Sequence, residues 1–223
     1  MRGGFNRARH VVWEQLHETP AACNDIACMR RRGKRPRSSG IGLPRIAAGA
    51  SHSLDELVEG KHVDRWEVRV EQHGDRFFVH AQSEVDADRA TIWSTLTDYD
   101  HLANFIPNIS SSRTISRNGA EAVVEQMGTA SFGPMRKSFA VLFAIREQSG
   151  ESITLSGVGD DFKRCDARYD IVSLTPYRSR IVYEATIVSR LPVPSIFSVP
   201  AMRSTISNQF GALIQEVLRR QTT

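Results

Sequence analysis

"AMRSTISNQFGALIQEVLRR", residues 201 to 220, places Met202, Ile206, Phe210, Leu213 and Val217 at intervals of four, four, three and four. That spacing marks one face of a 3.6-residue helix, and Ile214 and Leu218 widen the stripe beyond a narrow seam. The opposite face, with Ser204, Ser207, Gln215 and Arg219, is polar. Pro200 stands where a first helical turn tolerates proline, and Ser198 can cap. A helix this one-sided must bury its stripe against another large element.

The chain before it supplies that element. From residue 109 to 190 it reads as six consecutive strands, about 109–116, 121–131, 137–147, 151–158, 164–174 and 179–190. The turn signals between them are Asn118-Gly119, Gly133-Pro134, Ser149-Gly150, Gly159-Asp160-Asp161 and Pro176. Upstream, "WEVRVEQHGDRFFVHAQSEV" (66–85) alternates on both sides of His73-Gly74-Asp75, the pattern of a two-strand hairpin. Between hairpin and meander, "ADRATIWSTLTDY" predicts a helix capped by Asp86, with Ile92, Trp93 and Leu96 on one face. In "LTDYDHLANFIP" the segment 100–106 is at most a two-turn helix, because Pro107 bars its predecessor from helical angles.

Alternate residues of the strands separate cleanly. One set is apolar: Phe139, Val141, Phe143 and Ile145; Cys165, Ala167, Tyr169 and Ile171; Ile181, Tyr183, Ala185 and Ile187. The complements are small, mixed or charged, as in Asp166, Arg168 and Asp170. A twisted sheet of this length curls into a half-barrel, and one helix about 10 Å wide cannot fill its concave side. Either side chains pack the remainder or a cavity is left. Ala167, Ala185, Gly128 and Gly157, set among aromatics, favour the cavity. Its expected wall is Trp93, Leu102, Phe105, Ile106, Phe139, Val141, Phe143, Ala167, Tyr169, Tyr183, Ala185, Met202, Ile206 and Phe210.

Charge divides the 223-residue chain unevenly. Residues 1–60 hold ten Lys/Arg and six Asp/Glu, whereas residues 61–223 hold nineteen of each, so the whole net charge of +4 lies in the leader. "MRRRGKRPRSSG" (29–40) carries most of it. With no sustained period from Arg30 to Ser53, residues 1–60 are expected to form a disordered basic extension before a domain spanning 61–223. The arginines could contact RNA, ribosomes or anionic lipid, or form a merely solvated tail. No apolar stretch follows the charges as a secretory signal requires, and no apolar run approaches 18 residues. Cys23, Cys28 and Cys165 cannot all pair and lack zinc-site spacing; free thiols in a reducing, cytoplasmic compartment are expected, with no metal and no cofactor.

The succession of hairpin, helix with an Ile92-Trp93 pair, "LTDYDHLANFIP", meander, "GDDFKRCDARYDI" (159–171) and long terminal helix resembles the START-like (SRPBCC) helix-grip superfamily, in its polyketide cyclase/dehydrase and coenzyme Q-binding branch. The likeness covers about residues 66–219. Its most specific parts are Trp93–Arg113, with Phe105 two before the proline, and the turn at Gly159–Lys163; Cys165 and Ala167 depart from the aromatic and glycine the family often has there. The resemblance implies an α+β helix-grip fold, a curved antiparallel sheet of about seven strands around the terminal helix with two short helices after the first strands. It further implies binding or transport of a hydrophobic small molecule, an isoprenoid quinone, lipid or polyketide-like ring system. Two alternatives come with it: a cyclase/dehydratase enzyme, and a ribosome-associating protein module.

A cyclase needs a proton donor and acceptor inside the cavity. The inward sets offer only the phenols of Tyr169 and Tyr183, which suit orienting an oxygen better than removing a proton. All seven histidines lie at or before residue 101, and His80 alternates with Phe78 so as to face solvent. His101 sits near Asp98 and Asp100, but both acids precede a helix and read as caps. No catalytic residue is therefore assigned. Leu102 and Phe105 would form a gate, and "LPVPSIFSVP" (191–200) either a facing lip, whose Ile196 and Phe197 touch a membrane surface, or a buried connector.

Overall fold

The computed structural model describes residues 66–132, 135–159, 162–190 and 195–222. The basic extension, its boundary near residue 60, residues 191–194 and the side chains of Ile196 and Phe197 lie outside what is described. Strands β1 (Glu67–His73), β2 (Arg76–Val85), β3 (Ile109–Asn118), β4 (Glu121–Phe132), β5 (Met135–Gln148), β6 (Ser152–Gly159), β7 (Phe162–Thr175) and β8 (Arg178–Ser189) form one sheet. Helix α1 (Arg89–Leu96) and a 3-10 helix (Tyr99–Asn104) join β2 to β3, and α2 (Ser195–Gln221) closes the chain. The order β1-β2-β8-β7-β6-β5-β4-β3 is antiparallel throughout. The sheet has eight strands rather than about seven because both arms of the first hairpin join it: β2 pairs with β8 from Arg76 to Val85, and β1 becomes the edge.

Local chemistry sets the boundaries. The turns at Gly74, Gly119 and Gly150 adopt φ of 63°, 58° and 72°, a region that side chains disfavour. Helix α1 is capped by Asp88, whose Oδ1 accepts from the Thr91 backbone N–H at 2.7 Å. The expected cap, Asp86, instead accepts from Arg178. Helix α2 starts one turn earlier than its stripe suggests, so Pro200 lies inside it and the Ser198 hydroxyl bonds Gln72 on β1 rather than capping.

The α2 stripe is buried as its spacing requires: Ile206, Phe210, Leu213, Ile214 and Val217 pack with Val79, Val124, Ile145, Ile171 and Ile181 in one core. Each contributes on the order of 1.5–3 kcal/mol relative to exposure. Gly211 lets the Trp66 indole lie flat on the helix, where its Nε1 donates to Ser207 Oγ at 2.9 Å; a Cβ at 211 would stand 2.4 Å from that ring.

The outer face carries cross-strand ion pairs, including Arg180–Glu84, Arg146–Glu121 and Arg113–Glu125. It is not charged throughout, however. Val123, Leu142 and Ala144 form a second, smaller buried cluster there, packed with Ile115 and Val158.

Candidate functional site

Between α2 and the inner face lies a cavity of about 240 Å³, roughly the share of eight waters in the liquid. Strand β5 lines it with Phe139, Val141 and Phe143, β7 with Cys165, Ala167 and Tyr169, and β8 with Tyr183 and Ile187. Helix α2 contributes Met202, Thr205, Ile206, Gln209, Phe210 and Leu213, and the 3-10 region adds Tyr99, Leu102 and Ile106.

The void survives because two glycines give aromatic rings somewhere else to lie. Gly157 pairs with Phe143 across β5 and β6, and a Cβ there would be 2.5 Å from Phe143 Cε1. At Gly128, paired with Phe139, a Cβ would meet Phe139 Cζ at 2.7 Å and the Asn108 carbonyl oxygen at 2.1 Å. Both rings settle against bare backbone as part of the wall. Asn108, at φ 66°, turns the chain out of the Pro107 corner so that its carbonyl accepts from Thr129 N–H at 2.9 Å.

Of the residues expected at the wall, Trp93, Phe105 and Ala185 lie elsewhere. Trp93 is half-buried against the main core, and Ala185, paired with Val79 and Ala167, is a short buried core residue. Phe105 leaves the 3-10 path at φ −132°, and its ring lies under the Arg220 guanidinium, 5.4 Å from the centroid. Residues not foreseen include Leu96, Tyr99, Gln126, Leu155 and Gln209. Gln126 and Leu155 pair with Val141 and Ile145, so the alternation used for β5 identifies them once it is carried across the ladder.

Asp98 and Asp100 do not cap. Asp98 precedes the 3-10 helix but makes no capping bond; it holds His101 Nδ1 at 2.6 Å and Arg220 at 2.8 Å. Burial works against its charged form, yet the hydrogen bonds from His101 and Arg220 keep the carboxyl below its ordinary value. Asp100 accepts from the Thr114 N–H and hydroxyl, fastening the 3-10 helix to β3. These charged and backbone donors outcompete the short helix's own N–H groups. His101 thus belongs to a surface depression with Phe105, Glu216 and Arg220, outside the cavity. The corner is tied to α2 a second time, by Gln209 Nε2 donating to the Pro107 carbonyl at 3.2 Å.

Inside, polarity is sparse. Tyr169 and Tyr183 stand opposite one another on β7 and β8, with ring centroids 4.6 Å apart. Neither hydroxyl has a hydrogen-bond partner among the described residues. Burial raises both phenols above their ordinary value and pushes the Cys165 thiol up to about 12, so all three are neutral. Among the described residues the lining contains no His, Asp, Glu, Lys or Arg. Such a wall can shed water from an apolar guest and offer it neutral O–H donors. It holds no general base poised near neutral pH.

The family model described as "Polyketide cyclase / dehydrase and lipid transport" matches residues 85–214. Among solved structures, the chain is similar to the Zhui aromatase/cyclase of Streptomyces sp. R1128, at 13% identity and TM-score 0.55 over 65% of this chain and 95% of that one. A START superfamily protein of Mycobacterium smegmatis aligns at 20% identity and TM-score 0.55, over 64% of this chain and 97% of that one. Human STARD10 aligns at 13% identity and TM-score 0.52, over 69% and 73%. At these identities the likeness shows a shared fold. No curated protein matches the sequence.

Proposed function

Because the chain belongs to the polyketide cyclase/dehydrase and lipid transport family, we propose that it binds a hydrophobic small molecule in this cavity, with an oxygen of the guest hydrogen-bonded to Tyr169 or Tyr183. One observation carries the reading: Tyr169 and Tyr183, whose hydroxyls have no protein partner among the described residues, line a cavity without a charged side chain. A guest's carbonyl or hydroxyl that bonds one of these phenols adds about 0.5–1.5 kcal/mol net. The volume, at the small end for ligand pockets, favours a ring system or short chain over an entire isoprenoid tail. The scarcity of acid–base groups favours holding over converting.

The test is calorimetric titration with two ligands of one skeleton, 1-tetralone and tetralin. Wild type is expected to prefer the ketone by about two- to twelve-fold, the equivalent of one net hydrogen bond. Tyr169→Phe/Tyr183→Phe, which removes two oxygens and little volume, should bind both equally. A protein that binds neither, or a double variant that keeps the preference, would refute the proposal.

A further inference from the structure

The outer face of the sheet contains a contradiction in exposure. Phe78 and Met127, both pointing away from α2, are 42% and 40% exposed, as expected on an open face. On the same side Leu142 is 2% exposed, Val123 and Ala144 7%, and Glu125 9%. Among the described residues only the sheet side chains Ile115 and Val158 pack against the cluster. The described helices contribute nothing here, since α2 packs on the inner side of the sheet and α1 packs against α2. A leucine flanked only by its strand neighbours keeps its outward surface wet; this one does not.

We infer that the N-terminal segment Phe5–Leu16, "FNRARHVVWEQL", docks on this outer patch of β3–β6. Its Phe5, Ala8, Val12 and Leu16 recur at three, four and four, the spacing of one apolar helical face, with Val11 and Trp13 flanking it. Arg9 borders that stripe, and the patch holds Glu125, whose Oε2 takes Arg113 at 3.1 Å while Arg113 itself is largely exposed. A second cation there adds a partner for a carboxylate already withdrawn from water. Reach is no obstacle. The patch centre on β5 is five strands from β1, about 24 Å at 4.8 Å per strand, and the contour length of the chain between Leu16 and Trp66 exceeds that several-fold. The arginine run 29–37 lies outside the proposed docking segment.

Photo-crosslinking of the full chain tests this. With p-benzoylphenylalanine in place of Met127, on the exposed rim of the patch, cross-links are expected within one chain to the peptide containing residues 5–16. Val12→Asp/Leu16→Asp, placed outside the folded body, should lower their yield tenfold or more. In the same variant without the crosslinker, hydroxyl-radical labelling of Leu142 should rise at least fivefold. Cross-links to a second copy, to residues 18–63 or to nothing would overturn the inference, as would unchanged labelling of Leu142.

Discussion

Gly157→Ala puts the smallest possible addition against the cavity wall. The new Cβ would stand 2.5 and 2.6 Å from Phe143 Cε1 and Cδ1 and 3.1 Å from Val141 Cγ1. Ordinary contact needs about 3.5 Å or more, so the ring must retreat by about 1 Å. Backbone blocks one direction and the cavity lies in the other. Overpacking in a solid core costs about 1–3 kcal/mol, but a ring with space behind it stays near the lower end, and replacing glycine within a strand returns about 0.5–1 kcal/mol. Net stability should therefore change by about 1 kcal/mol or less. Binding should change more. A methyl passed through the ring into the void removes roughly 30 Å³ of the cavity's approximately 240 Å³. One methylene in an apolar pocket is worth about 1–3 kcal/mol, a 10- to 200-fold loss of affinity. Titrating alkylphenols of increasing chain length should show wild type and variant agreeing for the shortest members and diverging at the longest that wild type accepts. If the variant folds with unaltered affinity across the series, the cavity is not where these molecules bind.

The same contacts set three further outcomes. Gln209→Ala removes the bond to the Pro107 carbonyl; at about 1 kcal/mol, stopped-flow displacement should show ligand leaving about fivefold faster, and an unchanged rate would mean that this contact does not gate exit. Hydrogen bonds from Arg219 and then Arg220 lower the Glu216 carboxyl from an ordinary 4.5 to about 2; its contribution is therefore present above pH 4.5 and lost as pH falls towards 2. Denaturation midpoints of wild type and Glu216→Gln should differ most above about pH 5 and converge near pH 2, and a gap that widens on acidification would contradict the assignment. Gly211→Ala should lower the melting temperature despite a helix-propensity gain of about 1 kcal/mol, because its Cβ would overlap the Trp66 indole; a rise in melting temperature would disprove the packing argument.

The parts of this architecture written in short periods could be read directly. The α2 stripe repeats every three or four residues, and the inward sets of β5, β7 and β8 every two; these placed Phe139, Val141, Phe143, Tyr169, Tyr183 and Met202 at a common wall. What escaped depends on residues far apart in the chain. Trp66 meets Ser207 across 141 positions, and Arg220 meets Asp98 across 122, so nothing local marked Gly211 as a seat for an indole or Asp98 as an ion-pair partner. Phe105 illustrates the limit within one segment: its spacing from Leu102 suits the 3-10 face, but the backbone leaves that path at Phe105 itself. The outer patch was hidden for a different reason. Ala140, Leu142 and Ala144 are weakly apolar as a set, and only the low exposures of Leu142 and Ala144 set this patch apart.

The most direct measurement is organic extraction of the purified full-length protein, followed by mass spectrometry and repeated on Gly157→Ala. A near-stoichiometric, oxygen-bearing lipophile of ring or short-chain size, depleted in the variant, is the predicted result. Extracts containing no such molecule, together with failure to take up tetralone, would contradict the account at its centre.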